Sequence, residues 1–445
     1  MKRVLILAYD FPPYVSVGGL RPYAWYRYLK EYGIYPIVVT RQWGNKYGNH
    51  LDYIAPGDSS EVIEENSEYG TILKTPYKPN LGNRIMLKYG ESKFKLLRKL
   101  ISAFFEFSQW IWMIGPKVQL YFAAKKYLNS NNVEAIIATG DPFILFRYAS
   151  ILSKKYKIPW IADYRDPWIQ DKSRKKNFLL HNWEAFWEKK CTTNLNSIIT
   201  VSSFVEKQIS SLLKEKKFHI LPNGFDPDNI ENIRNISQET DILNIGFVGT
   251  IYDWHPLESF LMVCNDFSKN EKARININFY GVSNEEKINN ILEAKYPYLK
   301  TLVSISPRLP NQLLKEKLAS NSILILFNDY SILGTKIFDY LALKRLILLC
   351  YENDPKAMEL KKKYFLIKEF NSESKHLQKD VIDSTNSGII INDESHLYEY
   401  LKNLYMEFQE NGFISCNSVG IEKFSRKFQV KELSAIINNI SSNKY

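Results

Sequence analysis

Short apolar runs alternate with longer segments of helical periodicity along the chain. The first series of runs comprises Val4–Ala8, Pro36–Thr40, Ala135–Thr139, Trp160–Asp163, Ser197–Val201 and Lys217–Leu221. A second series comprises Ile245–Val248, Ile275–Tyr280, Leu302–Ile305, Ile323–Phe327, Leu346–Cys350 and Gly388–Ile391. Nearly continuous apolar strands separated by helices are typical of parallel sheets that are covered on both faces. The pattern therefore predicts an α/β protein.

The polar stretch 226–241 lies between the two series and is predicted to be a linker. It would separate a doubly wound domain at 1–225 from a second one at 242–422. A chain of 445 residues is long enough for two such domains, each with its own core. Ligands of open α/β sheets bind outside the carboxyl ends of the strands, so we expect the functional residues in a cleft there.

Composition narrows the class of protein and of partner. Hydrophobic residues make up 45% and charged residues 24%, which is typical of a globular protein. The 59 Lys and Arg exceed the 48 Asp and Glu, and the net charge of +11 favours anionic partners: nucleic acid, nucleotide phosphates or an acidic membrane face. An aromatic content of 14% fits carbohydrate stacking, membrane-interface anchoring or an aromatic-rich core.

Two further features predict a cytoplasmic location. The four cysteines lie far apart and form neither a CxxC pair nor a disulfide framework, as expected in a reducing compartment. The N-terminal run Val4–Ala8 is too short for a signal peptide, and no window reaches the roughly 18 apolar residues of a spanning helix. We therefore expect a chain that does not cross a membrane.

The segment GTKIFDYLAL, within 332–349, combines the features of an anion site. Gly334 would allow the backbone close to a ligand, and a helix opening near Thr335 would direct its N–H groups and positive dipole end at an anion. Lys336 adds a charge, and Asp339, about one turn later, lies close to the same face. A cation for phosphate beside a carboxylate for sugar hydroxyls predicts a nucleotide-sugar site. A surface helix with incidental charges is the alternative.

Two other strand ends carry candidate chemistry. The first strand is followed by a long loop with Gly18 and Gly19, whose backbone could approach a pyrophosphate at a helix start; a plain flexible loop is the alternative. The strand at 160–163 runs into DYRDPW, where Asp163 and Asp166 bracket Arg165. These charges could orient sugar hydroxyls or stabilise a leaving phosphate, or form a structural salt bridge.

Several motifs in order make the chain resemble the group 1 glycosyltransferases (family 4). These motifs are FPPYVSVGG, PWIADYRDPW, VSSF, LPNGFDP, GFVGTIYDW and GTKIFDYLAL. The resemblance implies a GT-B architecture of two facing Rossmann-like domains with a central cleft. It also implies that SRKFQVKELSAIIN, within 423–445, is a C-terminal helix crossing back onto the first domain.

The resemblance implies a donor site in the second domain and in the first glycine-rich loop. Gly18 and Gly19 match the loop that approaches the donor diphosphate. Asp339 matches the second Glu of the Glu-x7-Glu motif, which binds the donor ribose, whereas Ser331 replaces the first Glu.

The chain departs from the family pattern at its cationic positions. Arg165 stands in place of the catalytic-site His, beside the matching Asp166. After FV, Gly249 is followed by Thr250 where many relatives have a phosphate-binding Arg, and Pro256 replaces the companion Lys. Lys336 and Arg308 are our candidates to supply the missing charges.

The family implies transfer of a sugar with retention of configuration from a nucleotide sugar, without a cofactor or an obligatory metal. The acceptor would be a glycan or a lipid-linked molecule of cell-surface polysaccharide or lipopolysaccharide synthesis. A nucleotide-sugar epimerase of GT-B fold is an alternative, for which His255 is the histidine nearest a candidate position. A catalytically inactive partner subunit is the other, suggested by Ser331, Thr250 and Pro256.

The stretch 84–126 bears on the acceptor. Its basic residues outnumber Glu91 and Glu106, and Phe and Trp side chains are interleaved with them. Such a stretch suits docking on an anionic bilayer, where a lipid-linked acceptor would lie, on the inner face of the membrane. A helix packed in the domain with a solvated basic end is the alternative. Nucleic acid is not expected, because no recognised binding module accompanies the charge.

Overall fold

A computed structural model describes residues 1–44, 51–171, 178–228, 230–365 and 376–442. The strands are β1 (Lys2–Leu7), β2 (Ile34–Arg41), β3 (Ile63–Asn66), β4 (Thr71–Thr75), β5 (Ala135–Gly140), β6 (Trp160–Tyr164), β7 (Ser197–Thr200), β8 (Phe218–Ile220), β9 (Leu243–Val248), β10 (Ile275–Tyr280), β11 (Val303–Ser306), β12 (Ile323–Phe327), β13 (Leu346–Cys350) and β14 (Gly388–Ile391).

The helices separate these strands along the chain. They are α1 (Val17–Tyr28), α2 (Leu81–Tyr89), α3 (Lys95–Ile111), α4 (Val118–Ser130), α5 (Ile144–Tyr156), α6 (Phe178–Thr192), α7 (Ser203–Ser210), α8 (Ile230–Arg234), α9 (Leu257–Asn270), α10 (Glu285–Lys295), α11 (Pro297–Lys300), α12 (Asn311–Ala319), α13 (Lys336–Leu343), α14 (Pro355–Phe365), α15 (Leu377–Thr385), α16 (Glu394–Asn411) and α17 (Arg426–Ser442).

The predicted α/β class is confirmed, and the chain divides into two compact units. The first unit comprises Met1–Pro222 with Arg426–Tyr445, and the second comprises Asn223–Ser425. Within the described ranges, the first holds a sheet of eight strands in the order β3-β4-β2-β1-β5-β6-β7-β8. The second holds six strands in the order β11-β10-β9-β12-β13-β14. All pairings are parallel except that of β3 with β4.

Alternation of side chains along each strand builds a core on both faces of the first sheet. Leu5 and Leu7 of β1 pack on one face, with α4 and α5. Val4 and Ile6 pack on the other, with α1 and α17. Helix α17, which lies at the opposite end of the sequence from β1, therefore completes the core of this unit. It does so through Val430, Leu433 and Ile437, which are all fully buried.

The segment expected to be a linker, 226–241, belongs to the second unit. Ile230 and Ile233 of α8 are buried in the cluster that α13 contributes to. Arg234 donates from Nε to the carbonyl of Ala342 at 2.6 Å. The spacing of Ile230, Ile233 and Ile236 is the apolar stripe of one helical face, which the polar composition of the stretch obscured.

The pair β3–β4 is the part of the first sheet that the apolar pattern did not predict. Strand β3 is exposed along its whole length, and β4 alternates buried and half-buried residues. An edge hairpin of this kind carries too few buried side chains to stand out as an apolar run. It lies at the far edge of the sheet from β8 and leaves the order of the inner strands unchanged.

Candidate functional site

Both sheets have a switch point at which the connections leave in opposite directions. In the first sheet β1 lies between β2 and β5, and in the second β9 lies between β10 and β12. The carboxyl ends of such strand pairs form crevices where ligands of open α/β sheets bind. Each unit therefore has its own candidate ligand crevice, at the switch point of its sheet.

The loop after β1 brings a carboxyl group to the start of α1. The Ser16 hydroxyl accepts the backbone N–H of Gly18 at 3.0 Å and donates to Asp10 Oδ2 at 2.6 Å. Asp10 Oδ1 is buried, with no hydrogen-bond partner among the described residues. Burial raises the pKa of Asp10, although the Ser16 hydrogen bond and the charge of Arg165 act to lower it. A carboxyl group with a raised pKa at a strand end is a candidate for proton transfer.

Arg165 is held against the same turn by two backbone carbonyls at the carboxyl end of β5. Its Nε donates to Gly140 O at 2.7 Å and its Nη2 to Asp141 O at 3.0 Å. A Cβ added at Gly18 would overlap the Arg165 guanidinium and the Asp10 carboxylate. Gly18 lies in the first turn of α1 and not in the loop where it was predicted. Because it has no Cβ, it leaves room for these two charged groups.

Asp163 and Asp166, which flank Arg165 in the sequence, differ from each other in burial. Asp163 is fully buried and forms a 3.0 Å ion pair with Arg21. Arg21 also donates to the carbonyls of Leu221 and Pro222, at 2.7 and 3.1 Å, and so ties β6 to the end of the segment after β8. Asp166 is exposed. The salt-bridge alternative thus describes Asp163, while Arg165 faces the turn at Gly18.

In the second unit the side chain of Lys336, the first residue of α13, reaches the turn after β9. Its Nζ donates to Thr250 O at 3.2 Å and lies 4.7 Å from the centre of the Phe247 ring. Gly249 has φ +89°, and an added Cβ would lie 2.7 Å from Lys336 Cε. Both the backbone conformation and the space there require glycine. Burial lowers the pKa of Lys336 to about 8, although the charge of Asp329 acts to raise it.

Helix α13 is fixed so that its first turn faces the end of β9. The hydroxyl of Tyr340 accepts the backbone N–H of Val248 at 3.2 Å. Thr335 holds the N-cap position, and its side chain makes no capping hydrogen bond to the described first turn. A Cβ added at Gly334 would meet no described atom within 4 Å. Asp339 is half-buried one turn into the helix. The structure therefore brings Gly249, Thr250 and Lys336 together at the opening of α13.

Asp329, which follows β12, was missed by sequence reasoning. Its Oδ1 accepts from Trp254 Nε1 and from His255 Nε2, each at 3.1 Å. Burial acts to raise the pKa of Asp329, but the His255 and Trp254 hydrogen bonds and the Lys361 charge outweigh it and lower the pKa. Asp10 was missed for the same reason: each aspartate lies within three residues of a predicted strand's carboxyl end, and only that position marks it.

His255 is held in one tautomer. Its Nδ1 accepts the backbone N–H of Tyr252 at 3.2 Å, so the proton is on Nε2, which faces Asp329. Burial lowers its pKa, against the hydrogen bond and charge of Asp329. The side chain is 2% exposed. His255 is therefore a neutral imidazole that orients Asp329.

Ser331 and Arg308 follow β12 and β11 in the second unit. Ser331 is buried. Arg308 is exposed and follows β11, the edge strand, with its backbone against Gly281 at the end of β10. Of the two candidate replacement cations, Lys336 is the one that lies beside Thr250.

The described residues form neither a metal-binding cluster nor a helix that could span a membrane. Within the described ranges, no group of three or more His, Cys, Asp or Glu side chains is placed to hold a metal ion. No described helix combines the length and the apolar character that crossing a bilayer requires. All four cysteines are unpaired thiols.

Comparison with known proteins gives one family match. The family model of Glycosyltransferase Family 4 matches residues 23–229. No curated protein matches the chain by sequence.

Solved structures with the same fold cover the whole chain. Sucrose-phosphate synthase from Thermosynechococcus elongatus has a TM-score of 0.60 at 14% identity, covering 100% of both chains. HepE from Anabaena, in complex with UDP-glucose, has a TM-score of 0.53 at 10% identity, covering 99% of this chain and 100% of its own. Trehalose 6-phosphate synthase from Burkholderia multivorans has a TM-score of 0.53 at 9% identity, covering 100% of both. At these identities the likeness shows the fold, which is GT-B.

Proposed function

We propose that this chain transfers a sugar from a nucleotide-sugar donor to a glycan or lipid-linked acceptor. The family model of Glycosyltransferase Family 4 over residues 23–229 and the GT-B fold of the solved structures that cover the chain support the proposal. The position of Lys336 is the observation that carries the proposal. The chain has Thr250 and Pro256 where many relatives have cations, and Lys336 directs its ammonium group at the carbonyl of Thr250 from another element.

Lys336 would bind the donor diphosphate together with the start of α13. The diphosphate leaves with the electrons of the bond to the sugar, so negative charge builds on its oxygens in the transition state. A pre-positioned ammonium group and a helix N-terminus stabilise that charge most when water is excluded. Gly334 leaves space beside this helix start, and Gly249 and Thr250 lie against the Lys336 side chain.

Asp339 would accept hydrogen bonds from the donor ribose hydroxyls, since it is half-buried one turn beyond Lys336. Arg308, at the edge strand, would bind a more distant part of the donor. HepE was crystallised with UDP-glucose, and a nucleotide sugar of that class is the donor we propose.

The first unit would supply the groups that act on the acceptor. Asp10, with its raised pKa, would accept the proton of the attacking hydroxyl, and Arg165 beside Gly18 would hold negative charge on a phosphate or a sugar oxygen. Gly19 is buried, and a Cβ added there would lie 3.4 Å from the backbone of Asp10 and Phe11, so this glycine would keep the loop close to the start of α1. Asp163 would act as a positioning residue through Arg21, and exposed Asp166 would contact the sugar.

We further infer retention of configuration and no cofactor or obligatory metal, because positive side chains and a helix end can stabilise the leaving group. The location would be peripheral, at the inner face of the membrane, in cell-surface polysaccharide or lipopolysaccharide synthesis. The epimerase alternative is not favoured, since His255 is buried and both ring nitrogens are engaged.

A donor screen tests the proposal. Thermal shifts with UDP-, GDP-, ADP- and CMP-sugars should identify one nucleotide class that stabilises the chain. Asp339→Ala should weaken that binding by about 1–3 kcal/mol, the scale of a charge-assisted hydrogen bond, with no loss of folding. Lys317→Ala, on an exposed part of α12, is the control. Equal stabilisation of wild type and Asp339→Ala would remove Asp339 from the site, and no stabilisation by any donor would refute the proposal.

A further inference from the structure

Helix α3 presents apolar side chains to solvent on a continuous face. The exposed residues are Leu96, Leu100, Phe104, Phe107 and Ile111, spaced by three or four positions along 95–111. This spacing places them on one side of the helix. Leu96 is 74% and Leu100 62% exposed. A helix of a globular domain normally has polar side chains on its solvent side.

The opposite side of α3 already packs against the domain. Ile101 lies against Gly82 of α2, where an added Cβ would be 3.3 Å from its side chain. Trp110 is buried and stacks on Trp168, with ring centres 5.0 Å apart. The core of the domain therefore does not need the exposed stripe, because other residues of α3 make the packing contacts.

The apolar face continues onto neighbouring elements. Phe107 contacts Trp183 of α6, with ring centres 5.9 Å apart. Helix α6 exposes Phe178 and Leu179, each 76%, and Phe186. Phe94, at the turn between α2 and α3, is 53% exposed and contacts Tyr89. These residues and the α3 stripe are here called the apolar face. A contiguous apolar surface of this extent marks an interaction site.

The charges around the apolar face select its partner. The turn and the ends of α2 and α3 carry the exposed basic side chains Arg84, Lys88, Lys93, Lys95 and Lys99. Glu91 at the same turn and Glu106 on α3 are the acidic residues of these two helices and their turn, and both are exposed. Basic residues that flank an exposed apolar helix face are complementary to anionic headgroups over acyl chains. A protein partner would need both a matching apolar surface and a matching set of acids.

We propose that the apolar face of α3 and α6 inserts into the headgroup–acyl boundary of an anionic bilayer. The basic residues attract the chain to the surface, and the apolar side chains then hold it there. Electrostatic docking by 84–126 alone would be lost in salt, whereas insertion adds a component that salt does not screen. The inference deepens the proposed function by placing a lipid-linked acceptor beside the first unit.

Vesicle binding separates the two contributions. The full chain should co-sediment with phosphatidylglycerol-containing vesicles at low salt, and a measurable fraction should stay bound in high salt. Leu100→Gln/Phe104→Gln should reduce the partition coefficient at least tenfold in both conditions. The matched control is Met406→Gln/Phe413→Gln, which replaces side chains 47% and 49% exposed in the second unit; it should bind as wild type does.

The basic residues need a variant that leaves the turn intact. Arg98 donates to the carbonyl of Lys93 at 3.1 Å and to that of Glu91, so it holds the turn between α2 and α3 and is kept. Lys88→Gln/Lys95→Gln/Lys99→Gln should reduce binding at low salt and have little effect on the fraction bound in high salt.

Three outcomes would overturn the inference. In the first, wild type fails to sediment with anionic vesicles at low salt. In the second, the Leu100→Gln/Phe104→Gln variant binds as well as wild type. In the third, the wild-type chain would be a dimer that this variant makes monomeric, which would assign the face to a second copy. Donor-induced thermal shifts in each variant keep this test separate from the proposed function, because none of the proposed donor-binding residues lies on α3 or α6.

Discussion

At the scale of single residues, the account depends on a cation that reaches its position from an unexpected element. Lys336 lies beside Thr250 because Gly249 has neither a Cβ nor a negative φ. The sequence indicated that cations were missing after β9 and offered Lys336 and Arg308 as replacements. It could not choose between them, because the choice depends on strand order: Arg308 follows the edge strand β11.

Lys336→Met should lower turnover about 100-fold or more, the usual loss when a transition-state donor is removed. The pH dependence has a defined sign. In the proposed mechanism only the ammonium form would stabilise the leaving group, and burial lowers the pKa of Lys336 to about 8, so activity should fall as the pH rises through about 8. Lys336→Arg should move that decline to higher pH. Unchanged turnover in Lys336→Met would transfer the role to Arg308 or Arg165.

Burial of Lys336 should lower the free energy of unfolding of the chain at neutral pH. Its pKa is about 8 in the folded chain, below the roughly 10.4 of an unfolded lysine, so the unfolded state binds more protons between these values. Stability should therefore rise with pH across that window. At pH 7, Lys336→Met should raise the unfolding free energy by about 1–3 kcal/mol.

Urea unfolding at pH 7 and pH 10 measures this effect. The advantage of Lys336→Met over wild type should shrink at the higher pH, and the exposed control Lys317→Met should show neither effect. A Lys336→Met protein less stable than wild type at pH 7 would contradict the burial argument.

Asp10→Asn should abolish most turnover and leave donor binding unchanged, because Asp10 is proposed to act on the acceptor hydroxyl and not on the donor. In wild type, activity should rise with pH through the raised pKa of Asp10, since only the carboxylate accepts a proton. Steady-state rates across acid pH, with donor affinity measured in parallel, test both statements. Wild-type turnover in Asp10→Asn would show that no proton passes through this carboxyl group.

At the scale of elements, buried charge links α1 to the first sheet. The ion pair between Arg21 and Asp163 is 5% and 0% exposed. Arg21→Met would leave Asp163 as a buried carboxylate without its cation and should destabilise the chain by about 3–5 kcal/mol. Arg21→Met/Asp163→Leu should recover part of that loss. Chemical unfolding of the three proteins tests this; equal losses in the single and double variants would indicate lost packing rather than an unpaired charge.

Elements with long apolar runs could be predicted from the sequence, and the others could not. Strands such as β9 and β12 are buried on both faces, so their composition identifies them. The exposed β3 and the short helix α8 have too little apolar surface, and their position depends on partners distant in sequence. The candidate site followed the same rule. Lys336 and Gly249 stood in recognisable motifs, whereas Asp10 and Asp329 were marked in the sequence only by their position after a strand, and their contacts distinguish them from other residues there.

At the scale of the whole molecule, the first unit is assembled from both ends of the chain. Val430, Leu433 and Ile437 of α17 complete its core, and each buried side chain contributes about 1.5–3 kcal/mol. Ending the chain at Ser425 should therefore unfold the first unit and spare the second. Limited proteolysis with mass spectrometry should recover a protected fragment near 223–425. A truncated chain with an intact first unit would show that α17 is dispensable.

The most direct test of the central claim is NMR-monitored turnover of the donor chosen by the binding screen. Wild type should release the nucleoside diphosphate, even slowly to water, and the sugar should first appear with the anomeric configuration of the donor. Lys336→Met should release it about 100-fold more slowly while remaining folded. Wild type that binds the donor but releases the nucleoside diphosphate no faster than Lys336→Met does would contradict catalysis by this site. That result would identify the chain as an inactive partner subunit.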